Sequence, residues 1–336
     1  MAVLMPQQQE SEERELHQYL AKVVPDIMGS ASAITQIGRR GFDRSHSYAW
    51  DLLTVRLETG EELKIFLKDL GAYTRIKDGL EGMRQRRERE FRTYRDLLAK
   101  SRLGAAEYYG SIWDEARGQF LVFLEYVTGM AVRYCEFEHW VSAAAWLGRF
   151  QGFFAKRLQE LDTCEFLLRH DAKFFQSRAQ LALSVLSELS APLAARLAHI
   201  VDRYDPLTEL MASQPRTFVH GAYTPSTILL GLHAQPTRVC PFDWELAGLG
   251  SPLFDLAYLC DGFEPARLAI LLEAYRQEAV RHNVAVPEPA DVEYLMNCFR
   301  VYRLMNWISQ SLERNYSLAD VTKLVGVAEH VSRIVC

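Results

Sequence analysis

Two short segments constrain this chain more than any other part of it. Phe218-Val-His-Gly-Ala-Tyr-Thr-Pro-Ser-Thr-Ile-Leu229 is followed, about a dozen residues later, by Pro241-Phe-Asp-Trp-Glu-Leu-Ala-Gly-Leu-Gly-Ser-Pro-Leu-Phe-Asp-Leu-Ala257. Each runs an apolar strand end into polar groups at a turn. A carboxylate in that position, such as Asp243, can face a ligand while the sheet fixes its backbone. The surrounding glycines and prolines permit tight, specified backbone paths.

The rest of the chain must support such a pair of loops. With 336 residues, 49% of them apolar, it is too apolar for disorder and long enough for two domains or two lobes. The formal charge of -5 advertises neither nucleic acid nor membrane as a partner. Six cysteines, Cys135, Cys164, Cys240, Cys260, Cys298 and Cys336, form no C-x-x-C pair, against a zinc ribbon or a disulfide scaffold. There is no basic-then-apolar leader and no apolar run of the roughly 20 residues that span a bilayer. The expectation is a soluble, cytoplasmic protein.

Residues 1–29 read as an N-terminal helical extension, with Leu16, Leu20, Val23 and Val24 near one face and Pro25 limiting the helix. Strand signals follow. Ile34 and Ile37 precede a turn at Gly38-Arg-Arg-Gly41, and Ser45 to Trp50 lead into Leu52, Leu53, Val55 and Leu57. Thr59-Gly60 then marks a hairpin before Leu63, Ile65 and Leu67. A charged helix holds six arginines from Arg84 to Arg95 with Glu88 and Glu90 among them, a solvated or salt-bridged face rather than a nucleic-acid patch. Its less polar side is Met83, Phe91, Tyr94, Leu97 and Leu98. Phe120–Leu124 is a short apolar strand, after which helical stretches dominate, including Trp140–Phe154 and Phe175–Leu189. This order implies an α+β chain of two lobes, a small sheet-bearing one and a larger helical one; one domain with scattered hairpins is the alternative.

The two opening segments resemble the aminoglycoside phosphotransferase and choline kinase-like family, which has the bilobal protein-kinase fold. The family's catalytic loop is H-G-D-x-x-x-x-N, against His220-Gly-Ala-Tyr-Thr-Pro-Ser-Thr227 here. Its metal loop, I-D-W-E or I-D-F-x, is matched by Phe242-Asp-Trp-Glu245 with Phe242 in place of the isoleucine. Its G-x-P-x-x-D-L-A element is matched in full by Gly250–Ala257. The likeness covers roughly residues 30–310. It implies a small antiparallel-sheet lobe over 30–124, a connector over 125–129 and a helical lobe over 130–336 carrying both loops.

The resemblance also implies roles. Lys68, read as ending the Leu63–Leu67 strand, would neutralise phosphates of ATP or another nucleoside triphosphate. Lys64 competes for that role, since it lies an even number of residues away on the same strand. Glu90 would hold Lys68, sharing an inward helix face with Tyr94, while Glu88 points about 200° away; alternatively both acids balance nearby arginines. Gly38, Gly41 and Ser45 would cover phosphates, or simply make a hairpin. Backbone groups of Glu125 and Val127 would meet an adenine edge. Asp243 would hold Mg²⁺, with Thr227 in the place of the second ligand; a turn-capping carboxylate is the alternative for Asp243. His220 and Asp255 would organise the loops.

Ala222 stands where the family has its catalytic aspartate, and alanine neither accepts a proton nor orients a hydroxyl. Tyr223, Thr224 and Glu245 are the nearby groups that could orient an acceptor instead. The expectation is an atypical Mg-ATP-dependent phosphotransferase acting on a hydroxyl-bearing small molecule or Ser/Thr peptide. The alternatives are a catalytically inactive kinase-like protein that binds a nucleotide, peptide or partner, and a scaffold. Nine Asp/Glu against eight Lys/Arg from Glu264 to Cys336 give no acidic excess of the kind a polycationic substrate favours.

Overall fold

Alternation of apolar residues along the first strands builds the smaller of two compact units, Met1–Arg87 with Phe91–Thr128. The computed structural model describes residues 6–29, 33–41, 48–73, 79–231 and 237–335. Helix α1 (Pro6–Met28) leads into β1 (Ile34–Gly41), β2 (Tyr48–Leu57) and β3 (Glu62–Tyr73). Helix α2 (Gly79–Arg92), β4 (Tyr108–Asp114) and β5 (Gln119–Glu125) follow. The five strands form one antiparallel sheet in the order β1-β2-β3-β5-β4. Leu53, Val55, Leu57, Ile65, Leu67 and Phe123 all bury on one face, because side chains alternate across a strand. Onto that face α1 lays Leu16, Leu20 and Val24, one turn apart. Tyr19 of α1 stacks on Phe123 with centroids 4.6 Å apart, and its ring lies over Gly110, where any Cβ would collide with the phenol.

Three local expectations change. The helix does not stop at Pro25; it runs one more turn to Met28, giving up only the bond that Pro25 lacks an N–H to make. Gly38–Gly41 is not a turn but the end of β1, in register with Thr54–Asp51 of β2 and held by an Arg39–Asp51 ion pair of 2.6 Å. Lys68 does not end its strand; β3 continues to Tyr73. The Thr59-Gly60 hairpin stands as read, with Gly60 at φ 85°.

The larger unit, Glu88–Glu90 with Gly129–Cys336, is mostly helical. It contains β6 (Met130–Ala131), α3 (Phe137–Ala155), α4 (Leu158–Asp162), β7 (Leu168–Arg169), α5 (Ala172–Leu189), α6 (Ala191–Val201) and α7 (Asp205–Ala212). Then come β8 (Thr217–Val219), β9 (Ile228–Gly231), β10 (Arg238–Pro241), β11 (Gly248–Gly250) and α8 (Pro252–Leu259). Helices α9 (Pro265–Arg281), α10 (Pro289–Ser309) and α11 (Leu318–Val335) complete it. Two three-stranded ladders, β10-β9-β6 and β7-β11-β8, carry the two motif loops. Beneath them Phe150, Phe154, Phe218 and Trp244 pack as a fully buried aromatic cluster. No helix among the described residues is long and apolar enough to cross a membrane.

Candidate functional site

Strand β8 delivers His220 to the head of the first loop, and Asp255 of α8 pins the backbone there. Its carboxylate accepts from His220 N–H at 2.6 Å and Gly221 N–H at 3.0 Å, and from the Tyr223 N–H as well. Complete burial raises the Asp255 carboxyl to about 7 even though the three N–H donors favour its charged form. The His220 ring is equally committed. Its Nδ1 accepts from Ala222 N–H at 3.2 Å, so Nε2 carries the hydrogen, which it donates to Phe242 O at 2.9 Å. Burial holds this imidazole down at about 4, partly offset by its bond to Phe242 and by the Asp243 charge. His220 is thus a neutral strut between the loops, in no state to exchange protons near neutral pH.

The loop then closes on itself. Thr227 Oγ1 donates to Ala222 O at 2.6 Å and accepts from Thr224 N–H at 3.1 Å. Thr227 O accepts from Phe242 N–H at 3.0 Å, which sets the residue before Asp243 against the end of the first loop. Of the three groups considered as acceptor-orienting, Tyr223 is ruled out: it is fully buried and donates its hydroxyl to Ala143 O at 2.9 Å. Glu245 is buried too, whereas Thr224 is half-buried, its hydroxyl 2.8 Å from that of exposed Ser226.

Asp243 follows β10 in the left-handed region, φ 69° and ψ 60°. A non-glycine residue occupies that region at a cost of about 1–2 kcal/mol, so its surroundings must hold it there. A 3₁₀ turn over Trp244–Leu246 does part of this, with Trp244 Nε1–H donating to Pro241 O at 3.2 Å and Ala247 N–H to Trp244 O at 3.0 Å. Gly221, at φ 82°, lies so close to Leu246 that a Cβ would sit 2.7 Å from its carbonyl carbon. Two groups that the sequence reading passed over complete the setting. Arg89, expected on a solvated or salt-bridged face, is 6% exposed and donates to Phe166 O at 2.9 Å and Glu245 O at 2.6 Å. His170 lies against β11, where a Cβ on Gly250 would come 2.7 Å from its Cγ. Both its ring nitrogens are buried without a hydrogen-bond partner among the described residues, and burial beside Arg89 holds it neutral down to about 3.

Lys68, Gly38, Gly41, Glu125 and Val127 belong to the smaller unit, while Glu90, His220, Ala222, Thr227 and Asp243 belong to the larger. Lys68 is half-buried on the sheet face opposite α1, its ammonium 5.1 Å from the Tyr48 ring centroid. Lys64 is exposed and 4.0 Å from Glu62. Glu90 and Tyr94 are both buried while Glu88 is exposed, as the helix geometry requires. Gly38 and Gly41 lie on β1; Ser45 falls outside the described residues. Glu125 ends β5, its N–H donating to Glu107 O at 2.9 Å.

The oxygen donors that the two loops offer, the Asp243 carboxylate and the Thr227 hydroxyl, suit a hard cation. Among the described residues no group of three or more His, Cys, Asp or Glu could cage a metal. Mg²⁺ binds through one or two protein oxygens and completes its shell with phosphates and water, and both of these donors are oxygens. The residues present therefore fit Mg²⁺ brought in with a nucleotide.

Comparison with known proteins agrees with the architecture. The model of a phosphotransferase enzyme family, APH, matches residues 50–291. A putative aminoglycoside phosphotransferase from Ralstonia eutropha JMP134 superposes with a TM-score of 0.60 at 15% identity, covering 96% of each chain. A microcompartment-associated aminopropanol kinase gives 0.55 at 15% identity, over 88% of this chain and 90% of its own. Macrolide 2'-phosphotransferase from Brachybacterium faecium gives 0.55 at 14%, over 94% and 97%. At these identities the likeness is one of fold. No curated protein matches the chain in sequence.

Proposed function

Since the chain belongs to the APH phosphotransferase enzyme family, we propose that it is an atypical phosphotransferase that uses Mg²⁺ and ATP or another nucleoside triphosphate. Its acceptor is a hydroxyl-bearing small molecule or a Ser/Thr peptide. The observation that carries this reading is the Asp243 loop, held in a conformation aspartate does not favour and tied through Phe242 to both His220 and Thr227. Asp243 and Thr227 would hold the metal, Thr227 through the acceptor capacity its hydroxyl keeps. Lys68 would neutralise phosphate charge with Glu90 orienting it, and Gly38, Gly41 and Ser45 would border the phosphates. The backbone at Glu125 and Val127 would receive the base. Bound Mg²⁺ would neutralise charge on the transferring phosphoryl group.

What Ala222 removes is the carboxylate that accepts the acceptor's proton, a contribution of about 10²–10⁴-fold. Phosphoryl transfer draws most of its acceleration from alignment and charge neutralisation, so the remaining groups support slow transfer. Thr224 is the group left to orient an acceptor hydroxyl. Ala222 also motivates a second reading, a kinase-like protein that binds a nucleotide without transferring phosphate.

Calorimetric titration of the full chain with ATP, with and without Mg²⁺, tests the first step, and Mg²⁺-enhanced binding is expected. Absence of binding at large excess would sink both readings. Ala222→Asp is then expected to raise phosphate transfer to hydroxyl acceptors by about 10²-fold or more. Binding with no transfer in either protein would favour the second reading.

A further inference from the structure

Six arginines crowd the stretch from Arg84 to Arg95, and they do not do the same thing. Arg92 and Arg95 pair with Asp96, and Arg87 stacks its guanidinium on Phe120 at 3.4 Å. Arg89 instead reaches two main-chain carbonyls, those of Phe166 and Glu245, which lie far apart in sequence. Residues 88–90 accordingly group with the larger unit rather than with the rest of α2.

Both carbonyls belong to the frame around Asp243. Glu245 is the middle residue of the 3₁₀ turn that follows it, and Phe166 leads into β7, which pairs in parallel with β11 just beyond that turn. The Nη1–Glu245 O bond, at 2.6 Å, is short and charge-assisted. Asp243 sits in a left-handed conformation that it keeps only while its neighbours hold it. Trp244 and Ala247 hold the turn from within, through Pro241 O and Trp244 O. Arg89 grips it from outside, and also grips the segment leading into β7, the partner of the strand that receives the chain next.

We propose that Arg89 is a positioning residue for Asp243: its guanidinium, clamped between Phe166 O and Glu245 O, holds the metal-loop turn in its binding geometry. It touches neither nucleotide nor metal. The role toward Mg²⁺ rests on the phosphotransferase reading; the clamp on the turn does not.

The test compares Arg89→Met, which keeps length but has no donor, with Arg89→Lys, which keeps the charge and fewer donors. Hydrogen exchange is read on the full chain without ligand at the Ala247 and Leu168 amides, bonded to Trp244 O and Ala247 O. The Thr208 amide, bonded to Tyr204 O in α7, serves as the reference in the same unit. In Arg89→Met the first two should exchange at least about tenfold faster than in the parent, the worth of one bond from a charged donor, with Thr208 unchanged. Arg89→Lys should fall between. Titration with ATP should show the Mg²⁺ enhancement of affinity reduced about tenfold in Arg89→Met, with the Mg²⁺-free affinity retained. Unchanged exchange, or exchange raised equally at Thr208, overturns the proposal, as does local loosening with the Mg²⁺ enhancement intact. If the parent protein does not bind ATP, the phosphotransferase reading fails and the exchange comparison alone decides the clamp. Should Arg89→Met not fold, Arg89→Lys carries the same comparison.

Discussion

Replacing Gly221 by alanine should damage folding and, on the phosphotransferase reading, metal binding as well, and the structure separates the two causes. Gly221 has φ 82°, so alanine there bears the left-handed cost of about 1–2 kcal/mol. Its Cβ would also fall on the Leu246 carbonyl, 2.7 Å from the carbon and 2.9 Å from Leu246 Cβ, where ordinary contact begins at 3.4 Å. The loops must then part by at least about 0.7 Å, and since the obstacle is backbone, no side-chain rotation relieves it. Overpacking of this kind adds about 1–3 kcal/mol, for a total of about 2–5 kcal/mol. Gly262 provides the control, with φ 86° in the same unit and nothing within 4 Å of a Cβ. Urea unfolding followed by tryptophan fluorescence should find Gly262→Ala down by the conformational cost alone and Gly221→Ala lower still. Mg²⁺-dependent ATP affinity should fall only in Gly221→Ala. If the two variants lose equal stability, or if Gly221→Ala binds as the parent does, the contact argument is wrong.

Two further outcomes follow from burial. At pH 5 the unfolded chain protonates both His170 and His220, held down at about 3 and 4 in the fold, whereas Asp255, raised to about 7, is protonated only in the folded chain. The unfolded state thus binds a net one proton more, so these groups lower stability by about 1.4 kcal/mol per pH unit as pH falls toward 4. In His170→Phe the measured slope should fall by about 1.4 kcal/mol per pH unit; urea unfolding across pH 4.5–6 with the slope unchanged would refute the assignment. Leu20→Ala, at a fully buried position in the packing of α1 on the sheet, should cost about 2–5 kcal/mol; retained thermal stability would show that α1 contributes nothing to the smaller unit.

The sheet and the loops were readable because both are carried by residue types at fixed spacing. Leu53, Val55 and Leu57 bury together for the same reason that they alternate, and His220 and Asp243 stand where apolar strands end. The errors lie where a partner distant in sequence decides. Gly38 and Gly41 carry a turn signal, but Thr54 and Asp51 across the sheet keep them extended. Arg89 looked like a surface charge because the two carbonyls that take its guanidinium lie 77 and 156 residues away in sequence. Tyr223 looked available beside Ala222 until α3 supplied the Ala143 carbonyl that takes its hydroxyl.

Asp243 sits at a backbone angle where glycine would rest without strain and asparagine with less of it. Ease of folding and ligand chemistry therefore pull in opposite directions at this one position, and the chain keeps the harder residue. A selection for foldability alone would drift toward glycine at 243 and lose the carboxylate without disturbing the strands on either side. A selection for binding would hold aspartate and tolerate a slightly weaker turn. The identity of residue 243 under these two pressures is a way to ask what these loops are for before any substrate is in hand.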